Sequence, residues 1–371
     1  MNEKKVRILS IANMNSDSGV ACFLMNYLRA MDTNLLCMDF ICWDKREDNF
    51  YSEIERMGGT VFLVTSYKEN PLHFLSDVKK IVKDGKYDII HGHEAVMSLP
   101  AFYFGKKNHV PVRVAHSHSV EMTSFVKKMA VSICRAAFQR YCTDVMACSQ
   151  MAGEYLFGSK YFGKKGKILH NAIDVEKYRF NRNIRDKMRK KLKLEDEFII
   201  GHVGRFNQNK NHKFLVEVFA SFSEKEKNAK LLLIGDGETK TEIGQLIKKK
   251  NLEDKIIFLG IQENVNEWLQ VMDAFVFPSF REGLGIVLIE AQSAGLPCYC
   301  SNTIPEEARC SKNVKYISLK RLPEFWAETI LNQPDENRDH GAEVVKNAGY
   351  DIKEESKRLQ NFYLTAVERQ Q

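Results

Sequence analysis

The sequence has no long apolar run and no cysteine pattern typical of a disulfide-bonded protein. No apolar stretch reaches the ~18 residues that a membrane-spanning helix requires. The nine cysteines are scattered without CxxC spacing, which predicts reduced thiols. Residues 1–5 lead straight into a strand pattern, so we expect no secretory signal. Together these absences predict a cytoplasmic protein without a transmembrane helix.

Metal-ligand and nucleic-acid motifs are also missing. Histidine, cysteine and acidic residues show no metal-ligand spacing along the chain. Cys298 and Cys300, which flank Tyr299 in a strand pattern, are expected to pack in a core. The net charge is +7, yet the sequence contains no recognised nucleic-acid-binding module. The sequence therefore predicts no metal site and no nucleic-acid partner.

Strand and helix patterns alternate along the whole chain, which predicts βα units and parallel sheets. At 371 residues the chain is too long for one compact α/β core and suits two domains. The charged segment 179–197 has few apolar residues, so we place the domain boundary near 175–195. We predict strands at residues 6–12, 37–43, 60–64, 88–91, 112–116, 144–148, 168–171, 198–203, 230–234, 256–259, 274–277 and 297–301.

Two glutamates flank a glycine-containing turn late in the chain. The apolar run 273–278 predicts a buried strand that enters a loop with Glu282. Apolar residues at helical spacing follow over 286–294, so Glu290 lies one to two turns inside a helix. Glycines at a helix N-terminus let backbone N–H groups approach an anion, and a carboxylate further along can accept hydrogen bonds from a ribose diol. The pattern predicts a sugar-nucleotide site, and a plain strand–loop–helix unit with solvated glutamates is the alternative.

A second strand pattern leads into a basic loop. Gly204 marks the turn, and Arg205 and Lys210 follow it. Arginine offers a planar fork for phosphate oxygens and lysine a mobile point charge, so the two suit a diphosphate. Most surface basic residues are simply solvated. Arg205 and Lys210 therefore indicate a diphosphate site only together with Glu282 and Glu290.

These segments resemble the C-terminal half of the retaining GT-B glycosyltransferases of family 4. The E-x7-E and G-R-x4-K elements of that family are matched by Glu282 and Glu290 and by Gly204, Arg205 and Lys210, respectively. Residues 231–238 match the strand and turn between the two elements, and residues 171–174 match a further signature with Ala172 in place of glycine. The similarity extends from the first strand to about residue 340.

The resemblance implies an α/β fold of the GT-B type, with two Rossmann-like doubly wound domains that face each other across a cleft. The implied domains are an N-terminal acceptor-binding domain, a C-terminal nucleotide-sugar-binding domain and a terminal helix that crosses back to the first domain, at residues 1–175, 176–350 and 351–371.

The resemblance also implies the reaction. A sugar would move from a nucleotide-diphosphate donor, most simply a UDP-sugar, to a hydroxyl with its anomeric configuration kept and with neither metal nor other cofactor. Arg205, Lys210 and nearby backbone N–H groups would stabilise the leaving diphosphate, while Glu290 would hold the ribose and Glu282 the donor sugar. The implied donor-binding residues are Gly19, Gly204, Arg205, Lys210, Glu282, Gly283, Leu284, Gly285 and Glu290, and the implied catalytic residues are His116, Glu282, Arg205 and Lys210.

Gly19 ends the loop after the first strand, where relatives often carry two glycines. Its backbone could approach the donor phosphates, and a plain helix-start glycine is the alternative. The acidic residue that often follows this glycine in relatives is replaced here by Ala21, which weakens the transfer of that loop's chemistry.

Four histidines stand near the ends of two neighbouring predicted strands. His116 matches the family's histidine near the transferred sugar, and we favour it over His118, two residues away. His91 and His93 end the preceding strand, where they either line the acceptor side or are ordinary strand-end residues.

The resemblance extends, more weakly, to exopolysaccharide and capsule enzymes through segments 304–308 and 314–319. It implies a glycan or lipid-linked acceptor in bacterial surface-polysaccharide assembly at the inner face of the membrane. The predicted helix 120–142 fits a peripheral membrane contact, and a core-facing helix with a solvated basic face is the alternative. Its apolar side comprises Phe125, Met129, Ile133, Ala137 and Phe138.

Other functional classes stay open. A GT-B-fold UDP-sugar epimerase would use the same architecture without an acceptor. A non-catalytic partner subunit would keep the fold and lose site residues; the retained basic and acidic residues argue against it, and Ala21 keeps it open. A dinucleotide-dependent oxidoreductase is less favoured because the first strand–helix turn lacks a complete G-x-G-x-x-G.

Overall fold

The computed structural model describes residues 5–16, 18–118, 125–332 and 337–369. Its strands are β1 (Val6–Ile11), β2 (Leu36–Cys42), β3 (Val61–Leu63), β4 (Ile89–Gly92), β5 (Val112–Ser117), β6 (Asp144–Ala147), β7 (Gly166–Ile168), β8 (Phe198–Val203), β9 (Ala229–Ile234), β10 (Ile256–Gly260), β11 (Ala274–Phe277), β12 (Cys298–Ser301) and β13 (Val314–Ile317). Its α-helices are α1 (Gly19–Ala30), α2 (Tyr51–Arg56), α3 (Pro71–Asp84), α4 (Ala95–Lys107), α5 (Phe125–Tyr141), α6 (Gln150–Phe157), α7 (Ser159–Lys165), α8 (Val175–Tyr178), α9 (Arg182–Leu192), α10 (His212–Lys225), α11 (Lys240–Lys249), α12 (Val265–Val271), α13 (Ile286–Ser293), α14 (Pro323–Leu331), α15 (Gly341–Val345) and α16 (Ile352–Glu368).

The chain divides into two units. Unit 1 comprises the residues up to Ala172 and from Ile352 onward, and unit 2 comprises Ile173–Asp351. Helix α16 therefore belongs with the N-terminal half of the chain. The sequence placed the two boundaries at residues 175 and 350, and the roles given to the two domains stay predictions.

Unit 1 contains a parallel seven-stranded sheet in the order β3-β2-β1-β4-β5-β6-β7. The strand order reverses between β1 and β4, and in such sheets ligands bind beyond the carboxyl ends of the strands at that switch point. One face is covered by α1 and α16, which share a buried core that includes Tyr27, Leu359 and Tyr363. The other face packs against helices in the range 71–162.

Unit 2 contains a parallel six-stranded sheet in the order β10-β9-β8-β11-β12-β13. Its switch point lies between β8 and β11, which are hydrogen-bonded neighbours. Buried clusters cover both faces, so strands such as β9 and β11 consist of nearly continuous apolar residues. Cys298 and Cys300 are buried in β12 on either side of Tyr299, which confirms the prediction that they pack in a core.

One detail of the sequence prediction was wrong. The strand expected at 168–171 is β7, two residues earlier, because the paired residues are set by the register of Gly166 opposite Val145 and not by the apolar Ile168 and Leu169. The charged segment 179–197, near which the sequence placed the domain boundary, contains helix α9 and lies within unit 2. Arg189 is buried there and donates to the carbonyl of Leu194 and to Asp273, so arginines replace apolar residues as its packing groups.

The predicted amphipathic helix 120–142 is described in part. Residues 120–124 and the side chains of Phe125, Met129 and Ile133 lie outside the described residues, whereas the backbone of α5 is described. Phe138 is buried and lies 6.1 Å from Phe102, ring centre to ring centre. This part of the helix faces the core. Among the described residues, no helix is long and apolar enough to span a bilayer.

Candidate functional site

Lys210 and Glu282 form an ion pair at the switch point of unit 2. The Lys210 Nζ lies 2.7 Å from the Glu282 Oε1, and the two side chains are only 17% and 13% exposed. Lys210 closes a 3-10 turn after β8, in which Asn207 accepts a hydrogen bond from the Lys210 N–H at 3.1 Å. Glu282 lies in the loop after β11. Because β8 and β11 are neighbours, residues 72 positions apart meet at one edge of the sheet.

Hydrogen bonds fasten these two loops to each other. The Phe280 N–H donates to the Asn209 carbonyl at 2.8 Å, and the Asn209 amide donates to the Arg281 carbonyl at 2.7 Å. The Asn211 amide donates to the Pro278 carbonyl at 3.2 Å. Both asparagines were missed by sequence reasoning, although the repeated asparagines around Lys210 were a signal that side chains bond to backbone there. They hold Lys210 and Glu282 at a fixed separation.

Aromatic rings form the surface beneath Lys210. Its ammonium lies 4.8 Å from the centre of the Phe277 ring, within cation–π range. Below it, the buried His202 is hydrogen-bonded to the Val276 carbonyl at 2.9 Å. Burial, and then the charges of neighbouring groups that include Lys210, hold the pKa of His202 well below its usual range, so the ring is neutral. The positive charge beside Glu282 therefore comes from Lys210 and not from His202.

Glycines allow the loops after β8 and β9 to lie close together. A Cβ atom at Gly204 would lie 3.1 Å from the His202 Nε2 and 3.2 Å from the Lys210 Cδ, so a larger residue would press on the lysine. Gly235 and Gly237, in the loop after β9, have φ angles of +131° and +153°, and a Cβ atom on either would overlap a backbone oxygen of the β8 loop. These two glycines fix how closely the two loops approach.

Helix α13 presents an uncapped N-terminus in this region. Gly285, with φ +84°, is its N-cap residue, and no side chain caps the helix there. A Cβ atom at Gly285 would lie 3.1 Å from the Phe277 ring. Uncapped N–H groups and the helix dipole attract anions. Leu284 is buried in the core, so only its backbone can contribute to a ligand site.

Glu290 lies on α13 and is bound by a residue that sequence reasoning missed. The Tyr178 hydroxyl, at the end of α8, donates to the Glu290 Oε1 at 2.8 Å. Burial raises the pKa of Glu290 to about 7, and the Tyr178 hydrogen bond and Lys177 oppose that rise. A carboxyl group with this pKa is near half ionisation at neutral pH. It can accept hydrogen bonds from a diol that displaces or joins the tyrosine.

Arg205, in the loop after β8, is exposed and pairs with a carboxylate of a neighbouring loop. Its guanidinium lies 3.5 Å from Glu238, and the two side chains are 62% and 61% exposed. An ion pair of this kind is readily exchanged for another anion, because solvent screens it. The Arg205 side chain is therefore accessible to an anionic ligand from solvent.

The unit 1 candidates lie at the carboxyl end of its sheet. Gly19 starts α1 after the Ser18 cap, and a Cβ atom there would meet nothing within 4 Å. Neither packing nor a positive φ requires glycine at this position. His116 is buried on β5, where the structure brings it together with His118, His91 and His93.

Comparison with known proteins agrees with this architecture. Residues 183–318 match the model described as "Glycosyl transferases group 1", and residues 19–177 match the "Glycosyltransferase Family 4" model. The putative glycosyltransferase EpsF of Bacillus subtilis is 31% identical over 380 residues, which cover 100% of this chain and 99% of EpsF. The chain belongs to the group 1 glycosyltransferases.

Two other relatives of this glycosyltransferase chain have more specific names. The capsular polysaccharide biosynthesis glycosyltransferase CapH of Staphylococcus aureus is 28% identical and covers 82% of this chain and 85% of CapH. The UDP-Gal:α-D-GlcNAc-diphosphoundecaprenol α-1,3-galactosyltransferase of Escherichia coli is 25% identical and covers 80% of each chain.

The fold of this glycosyltransferase matches solved structures along nearly its whole length. HepE from Anabaena, crystallised in complex with UDP, has a TM-score of 0.80 at 17% sequence identity and covers 98% of this chain and 100% of its own. The likeness confirms the predicted GT-B fold class with two Rossmann-like domains.

Proposed function

We propose that this glycosyltransferase moves a sugar from a UDP-sugar to a hydroxyl of a lipid-linked glycan, with retention of the anomeric configuration. The observation that carries the proposal is the partly buried ion pair of Lys210 and Glu282 at the switch point of unit 2, beside the start of α13, which no side chain caps. A lysine, a helix start without a side-chain cap and an adjacent carboxylate are what a nucleoside diphosphate joined to a sugar requires.

Each group has a separate task in this proposal. Lys210 and the N–H groups of the Gly283–Gly285 turn stabilise charge on the diphosphate as its bond to the sugar breaks, and Arg205 swings from Glu238 to join them. Glu282 accepts hydrogen bonds from the donor sugar, which it can do without releasing Lys210 because a carboxylate has two oxygens. Glu290 binds the ribose hydroxyls.

The remaining groups come from unit 1. Gly19 brings its backbone to the donor phosphates, and His116 lies near the transferred sugar. The leaving diphosphate itself takes the proton of the acceptor hydroxyl on the same face. No metal and no other cofactor takes part in this proposal.

The names of the relatives support the donor and the acceptor. HepE was crystallised with UDP and with UDP-glucose, and the E. coli relative is named for UDP-Gal and a diphosphoundecaprenol acceptor. CapH is named for capsular polysaccharide biosynthesis. We therefore assign the chain to exopolysaccharide or capsule assembly at the inner face of the membrane, where it meets its lipid-linked acceptor as a peripheral, cytoplasmic enzyme.

A donor and acceptor screen tests the proposal. The full chain is incubated with UDP-, GDP- and ADP-sugars, with and without a polyprenyl-diphosphate-linked acceptor, while free nucleotide is measured and the product is analysed by NMR. We expect UDP release only when acceptor is present, and an anomeric configuration equal to that of the donor. A changed sugar without acceptor would indicate the epimerase, and an inverted product would refute retention.

Nucleotide binding provides an independent measurement. A ligand at 100 times its Kd stabilises a protein by ~2.7 kcal/mol, so UDP should raise the unfolding temperature of the wild type. Glu290→Ala should lose that shift, whereas Glu242→Ala, a matched change at an exposed position of α11 in the same unit, should keep it. No shift with any nucleotide would favour a non-catalytic partner subunit.

A further inference from the structure

Four imidazoles lie together at the carboxyl ends of β4 and β5 in unit 1. The two strands pair in parallel with His91 opposite Val114, which places His93 beside His116 on the same face of the sheet. His118 follows two residues later, so it shares that face. The ring centres of His91 and His93 lie 4.1 Å apart and those of His116 and His118 lie 4.0 Å apart, both pairs stacked.

The imidazole nitrogens of this cluster are buried without enough partners. The side-chain nitrogens that make no hydrogen bond are Nε2 of His91, Nε2 of His93, both nitrogens of His116 and Nδ1 of His118. An unsatisfied buried polar atom costs about 1–3 kcal/mol. Simple aromatic packing explains the stacked rings and the edge contact of Phe23 with His116 at 5.3 Å. It leaves the unpaired nitrogens unexplained.

The existing hydrogen bonds orient these nitrogens for a ligand. Nδ1 of His91 lies 2.6 Å from the Tyr363 hydroxyl, and Nδ1 of His93 lies 2.9 Å from Nε2 of His118. When each Nδ1 carries the proton and donates, each Nε2 keeps a free lone pair. Metal-bound histidines in proteins are held in this way, with one nitrogen on the metal and the other hydrogen-bonded.

The cluster also has the charge state that metal ligands need. Burial lowers the pKa of His91 to about 3 and holds the pKa values of His93 and His116 well below the usual range. At neutral pH these rings are unprotonated, so no proton competes with a metal ion for the lone pairs.

The geometry points to a transition-metal site, and we propose that His91, His93 and His116 bind a divalent ion such as Zn²⁺. One ligand nitrogen from each of the three lies within 4.8 Å of the others. Tetrahedral zinc with imidazole bonds of about 2.0–2.1 Å requires nitrogens about 3.4 Å apart, so the rings must close in by roughly an ångström. Three histidines leave a fourth position open.

The chemistry of the ligand set selects the metal. Imidazole suits Zn²⁺, Cu²⁺, Ni²⁺ and Co²⁺, whereas Mg²⁺ and Ca²⁺ prefer oxygen ligands.

A metal ion at this site would affect sugar transfer, and this step rests on the proposed function, in which His116 lies at the transferred sugar. An ion bound to His116 would occupy that place, so Zn²⁺ should inhibit transfer, and a chelator should restore it.

A cobalt titration of the full chain tests binding without reference to activity. We expect one equivalent of Co²⁺ to produce the visible d–d absorption of a tetrahedral site, to be displaced by Zn²⁺ and to be unaffected by Mg²⁺. No near-ultraviolet thiolate-to-cobalt band should appear, because no cysteine is a ligand. Absence of the visible bands, or a strong thiolate band, would overturn the proposal.

Variants locate the site. His93→Gln should weaken cobalt binding by about 100-fold or more, because one of three ligands is lost. Tyr363→Phe, which removes the hydrogen-bond partner of His91, should weaken it by about 10-fold. His73→Gln, at an exposed histidine of the same unit, should bind as the wild type does. Equal binding by His93→Gln, with its fold verified by circular dichroism, would contradict the assignment.

Zinc inhibition is measured separately. If cobalt binds as expected while no transfer activity is found with any donor, the metal site stands and the proposed function fails. If transfer is active and neither cobalt nor zinc binds, the function stands and the metal site is refuted.

Discussion

The carboxyl ends of the two parallel sheets differ in the charge of the side chains that they carry. In unit 2, the loops after β8 and β11 carry the ion pair of Lys210 and Glu282, fastened by asparagine side chains. In unit 1, the ends of β4 and β5 carry neutral imidazoles, and several of their ring nitrogens make no hydrogen bond. Both sheets are parallel and doubly wound, so the architecture determines where a site lies. The side chains at the strand ends determine which ligand it can take.

Among the predicted effects, the largest should be the loss of activity when Lys210 is replaced at the site of unit 2. Lys210→Ala removes the buried cation that stabilises the leaving diphosphate, so kcat/KM should fall by about 100-fold or more, or ~2.7 kcal/mol of transition-state stabilisation. Lys213→Ala, an exposed position on α10, is the matched control and should keep its activity.

The thermal unfolding of both lysine variants separates catalysis from folding. Lys210→Ala leaves Glu282 without its partner, so a modest fall in stability is expected. A folded Lys210→Ala protein with near-normal turnover would refute the proposal that Lys210 stabilises the leaving diphosphate.

Replacing a glycine near each site should change the stability of the protein in unit 2 and not in unit 1. Gly235 has φ +131° and its Cβ would overlap the Gly204 carbonyl, so Gly235→Ala should destabilise the protein by about 2 kcal/mol. Gly19→Ala, in unit 1, meets open space and should leave stability unchanged or slightly raised. Chemical denaturation measures both. Equal losses in the two variants would show that the unit 1 loop is as tightly packed as that of unit 2.

The sequence indicated the charged residues of the unit 2 site but not the hydrogen bonds and ion pairs that position them. The resemblance indicated Lys210, Glu282 and Glu290, but their contacts depend on β8 lying beside β11, which is a property of the sheet. Tyr178 donates to Glu290 across 112 residues, and no local pattern relates the two positions. Long-range partners of this kind appear only when the strand order is known.

The histidine cluster was missed for a related reason. Alternation along a strand places His91 with His93 and His116 with His118, and each pair alone resembles ordinary strand-end residues. The register of β4 against β5 brings the two pairs together. Metal-ligand spacing along the chain could not indicate a cluster that two separate strands create.

The smallest expected effect concerns the carboxyl group of Glu290. Its pKa is raised from 4.5 to about 7 in the folded protein, so between those pH values the folded state binds more protons than the unfolded state. The stability that its protonation contributes is complete below pH 4.5 and is lost as the pH rises through 7. The full shift would correspond to about 3 kcal/mol, and the partial exposure of Glu290 reduces our expectation to about 1 kcal/mol.

Glu290→Gln cannot ionise, so it isolates this effect from every other titrating group. We expect the variant to be about 1 kcal/mol more stable than the wild type at pH 8 and nearly equal to it below pH 4.5, as measured by urea unfolding. Glu242→Gln, exposed on α11, should follow the wild type at both pH values. If the wild type and Glu290→Gln differ equally at both pH values, the pKa of Glu290 is the same in the folded and unfolded proteins, and its carboxyl group is ionised at neutral pH before any nucleotide binds. Its ribose contact would then require no deprotonation, and the Tyr178 hydrogen bond and Lys177 would offset the effect of burial on the Glu290 pKa.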